Sequence, residues 1–71
     1  MKESIRNQLP GTVKTIISDK VASEVIIATA AGEIAAMITT RAVQDMGLKV
    51  GDNVFALVKA TNVSVRKENA S

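Results

Sequence analysis

The chain contains no cysteine and no histidine. The first absence excludes disulfide staples, and together they remove the usual ligands of structural zinc. They also remove the commonest enzymatic bases and nucleophiles. Tryptophan and tyrosine are missing as well, which leaves Phe55 as the single aromatic residue. A surface for single-stranded nucleic acid stacks bases on aromatic side chains, so an OB-type nucleic-acid binder is a poor alternative here. No apolar run approaches the ~20 residues of a membrane-spanning helix, and Met1-Lys2-Glu3-Ser4 does not open a signal peptide. A soluble protein in the reducing cytoplasm is the expectation. The net charge of +2 and isoelectric point near 9.3 permit an anionic partner but fall short of a nucleic-acid footprint.

What is abundant is β-branched. Nine Val and seven Ile stand against three Leu, with six Thr besides. Such residues suit a pleated, half-buried surface better than a helix. The 71 residues make one domain, residues 1–71, and a core of this size is marginal without a staple. With disulfides and zinc excluded, assembly into a homo-oligomer is the remaining remedy.

Periodicity predicts five strands and one short helix. Thr12–Ser18 is the first strand, entered through Pro10-Gly11, and Val21–Thr29 the second, with Val21, Ser23, Val25, Ile27 and Thr29 on one face. Ala30-Ala31-Gly32 closes a hairpin into Glu33–Thr39, with Ile34, Ala36 and Ile38 inward. Arg41–Met46 changes to a helical period, with Thr39 or Thr40 as its cap and Gly47 as its stop. Asn53–Lys59 is the fourth strand. Asn62–Lys67 is the fifth, with Val63 and Val65 inward, and the tail Glu68–Ser71 is polar. This order predicts a mainly β fold, a five-stranded OB-like Greek-key barrel with one short helix between strands three and four.

The strands carry a second apolar set on their other face: Ile26, Ala28, Ala35, Met37, Phe55 and Leu57. A one-sided sheet would be polar at those positions. Large side chains each stabilise by roughly 1.5–3 kcal/mol when removed from water, so this face predicts an interface between copies. A purely structural oligomerisation module without ligand is the other reading this face allows.

The seven acids are scattered, with no pair at a catalytic spacing and no glycine-rich phosphate loop, so an enzyme is not expected. Donors are better placed. Ser4 and Arg6 precede the first predicted strand, Thr39 closes the third and Lys59 ends the fourth. If strand ends bring these segments to one rim, the site holds two cations and two hydroxyls without a carboxylate. That donor set fits a doubly charged oxyanion, because charged hydrogen bonds contribute about 1.5–3 kcal/mol each and an unpaired buried dianion would be prohibitive.

Ser4-Ile5-Arg6-Asn7-Gln8-Leu9-Pro10-Gly11 resembles the "S-A-R-N-Q-L-x-G" opening of molbindins, small molybdate-binding proteins of the transport-associated OB family. Ala36-Met37-Ile38-Thr39, Met46-Gly47-Leu48-Lys49-Val50-Gly51 and Val58-Lys59-Ala60-Thr61-Asn62-Val63 continue the likeness in register along nearly the whole chain. The resemblance implies a hexamer, a trimer of dimers, with molybdate or tungstate held at subunit interfaces for storage and homeostasis. Carried over by position, the site takes the Ser4 hydroxyl, the Ile5 amide, Arg6, Thr39, Lys59 and the Ala60 amide. A second class of interface site belongs to the family pattern and is not placed here. Ile5 and Ala60 depart from the usual Ala and frequent Ser, which narrows the pocket and removes one hydroxyl; Pro10 is also atypical.

Overall fold

The computed structural model describes residues 6–68, with Arg6 described through its backbone. Four strands form, β1 (Arg6–Ser18), β2 (Ala22–Thr29), β3 (Gly32–Thr39) and β4 (Asn53–Lys59). The helix α1 (Thr40–Met46) lies between β3 and β4, and a 3-10 turn, Ala60–Asn62, follows β4. One curled antiparallel sheet results, in the order β3-β2-β1-β4, half of a barrel in form.

β1 organises the molecule because it serves two partners in succession. Its residues Arg6–Thr12 pair with Lys59–Asn53, and Gly11–Ser18 pair with Thr29–Ser23. Only Gly11 and Thr12 are paired on both sides, and Gly11 is compelled there. A Cβ at this position would sit 2.6 Å from both the Ala28 carbonyl oxygen and Ile27 Cγ2. Lys14 is skipped by the register between Val13 and Thr15, a bulge that frees the Val13 backbone. Val13 then bonds the loop before β4, donating to the Asp52 carbonyl at 2.9 Å and accepting from Gly51 N–H at 2.8 Å.

Local signals fix the connections. Asp19 Oδ1 accepts from Val21 and Ala22 N–H, both at 2.8 Å, and closes the β1–β2 turn. Gly32, at φ 115°, closes the β2–β3 turn, where Thr29 Oγ1 donates to its carbonyl at 2.7 Å. α1 is capped by Thr39 Oγ1, which accepts from Ala42 N–H at 3.0 Å. It ends at Gly47 (φ 62°), with Gly47 N–H on the Gln44 carbonyl and Leu48 N–H on the Val43 carbonyl, each at 3.0 Å. Those two bonds form a Schellman motif.

The core is small. Val13, Val25, Ile27 and Ala56 are the buried apolar residues, with Ile34, Ile38, Leu48 and Val54 among those packed around them. The concave face of the sheet stays open as an apolar groove of about 500 Å³, reaching Val13 and Val25. The radius of gyration, 14.3 Å, exceeds the about 11 Å of a compact domain of this length. Of the second apolar set, Met37, Phe55 and Leu57 are more than half exposed, as the pattern predicts, while Ile26 is partly buried.

Two expectations are corrected. The first strand begins at Arg6, not Thr12, because β4 supplies a partner for Arg6–Gly11 that local sequence does not reveal. The fifth strand does not form: Ala60–Asn62 is a 3-10 turn, and Val63–Glu68 carries no strand assignment. Val63 and Val65 are not inward but 51% and 94% exposed. Alternation equips a segment for pairing but does not bring it to an edge, and this segment pairs with neither β3 nor β4, the two open edges of the sheet.

Candidate functional site

Register decides which candidate residues meet. Arg6, the first residue of β1, is the cross-strand partner of Lys59, the last residue of β4. The pairing spans nearly the whole sequence and sets two cationic residues at directly opposed positions, where like charges repel unless an anion lies between them. Neither strand segment supplies that anion, since Arg6–Thr12 and Asn53–Lys59 contain no carboxylate. Lys59 is exposed and has no ion-pair partner among the described residues, where the ion pair found joins Lys14 and Glu33. Ala60 follows directly and opens the 3-10 turn. Ser4 and Ile5 fall outside the described residues.

Three of the described acids are committed elsewhere, Glu33 to Lys14 and the other two to backbone amides. Asp19 is engaged by the two amides of its turn, and Asp52 Oδ2 accepts from Lys49 N–H at 2.9 Å. Among the described residues, the paired segments that end at Arg6 and Lys59 carry cationic residues and no carboxylate.

Thr39 lies elsewhere. It pairs with Ala22, beside the Ser18–Ser23 pair, at the opposite end of the 13-residue β1. At ~3.3 Å per residue the two ends are separated by a contour on the order of 40 Å. A single chain thus places Arg6, Lys59 and Ala60 together and Thr39 apart. Sequence spacing could suggest a common rim, but the lengthwise sharing of β1 between two partners puts these strand ends at opposite poles.

The chemistry of Thr39 is nevertheless suited to a ligand. As cap, its oxygen accepts from Ala42 N–H, which leaves its own proton unspent among the described residues. The large apolar groove is a different feature, lined by Ile34, Met37, Leu48, Phe55 and Leu57 among others, and offers no charged donor.

A family model described as the TOBE domain matches residues 3–65. Molybdenum-pterin-binding protein 3 of Clostridium pasteurianum is 33% identical over 66 residues, which cover 92% of this chain and 97% of that protein. The chain is a molbindin of the TOBE domain family.

Solved structures agree with the molbindin assignment. A molybdate-binding protein from Sporomusa ovata is 43% identical and superposes with a TM-score of 0.86, covering 94% of this chain and all of that one. ModG, solved with molybdate bound and described as a cytoplasmic molybdate-binding protein, is 46% identical with a TM-score of 0.77. The molbindin covers 45% of that chain and is itself covered to 87%. Against the molybdenum transport protein ModE of Herbaspirillum seropedicae it is 39% identical over 64 residues, about 24% of that protein's length.

Proposed function

We propose that this molbindin binds molybdate, and tungstate as its close analogue, for storage and homeostasis in the cytoplasm. The observation that carries the reading is the pairing of Arg6 with Lys59 between strand segments that hold no carboxylate among the described residues, in a chain of this family. Around that pair the site takes the Ser4 hydroxyl, the Ile5 amide, Arg6, Lys59 and the Ala60 amide, with Thr39 supplied by a second copy. Two copies are required because Thr39 and Lys59 occupy opposite ends of one chain.

The assembly is a hexamer, built as a trimer of dimers, with oxyanions at its interfaces. Three features favour association: an open apolar groove, the exposed Met37, Phe55 and Leu57, and an alternating segment, Val63–Lys67, that has no strand partner within the described residues. In the assembly this last segment pairs with an exposed edge and completes a five-stranded OB-like barrel. A single aromatic residue, Phe55, and seven scattered acids give little to favour a nucleic-acid binder or an enzyme.

The donor-only site explains selectivity. A fully ionised tetrahedral dianion accepts from every group, whereas monohydrogen phosphate brings a proton that would face a donor. The decisive test is Arg6→Ala in the full chain. Titration calorimetry with molybdate should show binding lost while circular dichroism stays unchanged; wild-type affinity in that variant would defeat the assignment.

A further inference from the structure

Ser23 is the buried polar residue among the described ones, with no exposed surface, on the face of β2 that Val25 and Ile27 continue as core. Its Oγ lies 2.6 Å from Ser18 Oγ at the end of β1 and 2.8 Å from Thr40 Oγ1 at the start of α1. Thr40 Oγ1 in turn donates to the Asp19 carbonyl at 2.7 Å.

A hydroxyl has one proton, and this fixes the direction of the chain. The Thr40 proton is spent on the carbonyl, so Ser23 donates to Thr40, and Ser18 donates to Ser23. Three hydroxyls therefore run head to tail from β1, through β2, to the residue that follows Thr39. The Thr40 N–H is fastened too, on the Val21 carbonyl at 2.9 Å. An apolar residue at position 23 would fill the same space without the desolvation cost of a hydroxyl. What the serine adds is direction: Thr40, whose backbone N–H Val21 already holds, is held by its side chain too.

We propose that Ser23 is a positioning residue for the Thr39 hydroxyl, acting through Thr40; this rests on the placement of Thr39 in the oxyanion site. Thr39 and Thr40 share a peptide at the corner where β3 becomes α1. With Thr40 held at both ends, that peptide plane is fixed, and so is the direction in which Thr39 leaves the backbone. Hydrogen bonds weaken steeply with misalignment, so a slack corner costs affinity at the neighbouring copy even when the fold survives.

The test compares Ser23→Ala, Thr40→Val, Thr40→Ser and Thr39→Val in the full chain, each titrated calorimetrically with sodium molybdate well below its melting temperature. Ser23→Ala and Thr40→Val should weaken binding about three- to tenfold, the scale of one impaired neutral hydrogen bond, with circular dichroism unchanged. Thr40→Ser keeps the hydroxyl and should keep wild-type affinity. Lowered melting temperatures with undiminished affinity in Ser23→Ala and Thr40→Val would overturn the inference and leave Ser23 a purely structural residue. If Ser23→Ala does not fold, the Thr40 pair decides alone. Thr39→Val separates the two levels. Wild-type binding in that variant removes Thr39 from the site and this inference with it. Weakened binding there, beside intact binding in Ser23→Ala and Thr40→Val, defeats the inference alone.

Discussion

At the scale of single residues, one oxygen can serve two purposes. Thr39 offers its lone pair to Ala42 N–H and retains its proton, so capping α1 and binding an acceptor do not compete. Asp19 works in the opposite sense, as acceptor only. Hydrogen bonds from Ala22 and then Val21 N–H stabilise its carboxylate and hold it below its ordinary 3.8. A depressed carboxylate contributes stability above its ordinary value and loses it as the pH falls through the lower folded value. The melting temperature should therefore drop on acidification from about pH 5 to about pH 3, and more shallowly in Asp19→Asn. Equal slopes for the two proteins, measured by calorimetric scans across that range, would show that the turn carboxylate is not involved.

Among elements, β1 shows both how much the sequence discloses and where it stops. The helix, its Thr39 cap, its Gly47 stop and both hairpin turns are readable because their causes lie within a few residues of their effects. The alternation of β2 and β3 is readable for the same reason, with Ser23, Val25 and Ile27 on one face, although Val21, expected on that face, lies before β2 and is exposed. The first half of β1 is not. Arg6-Asn7-Gln8 is polar and Pro10-Gly11 is ordinarily punctuation, so nothing local announces a strand whose partner is β4. The candidate site shares that fate. Its donor types were visible in sequence, but their grouping depends on non-local register, which unites Arg6 with Lys59 and sends Thr39 away. Val63–Lys67 is the converse case, where a strand pattern is present and the described chain does not lay it against either open edge, β3 or β4. Gly11 holds the crossing point of β1, and Gly11→Ala should destabilise by about 1–3 kcal/mol, because the new methyl meets a backbone oxygen that cannot step aside. Urea unfolding would measure it, and an unchanged midpoint would mean that the crossing relaxes freely.

For the whole molecule, the balance of surfaces is the governing fact. Four buried apolar side chains are a thin core, while Met37, Phe55 and Leu57 lie in water. Association offers what the single chain lacks, and size exclusion with light scattering should give a multiple of 7.5 kDa. Placing charges on that face, as in Phe55→Asp with Leu57→Asp, should lower the mass toward one chain and weaken molybdate binding together. A variant that stays fully assembled would locate the interface elsewhere.

The lengthwise division of β1 also sets an order of events during synthesis. Its second half can join β2 and β3 as soon as the residues up to Thr39 have left the ribosome, since those contacts are close in sequence. Its first half must wait for β4, the last of the four strands in chain order. The Arg6–Lys59 pairing is thus the last part of the sheet to form. A nascent or truncated protein that stops before Asn53 would carry the hairpins and the helix while remaining blind to the ion.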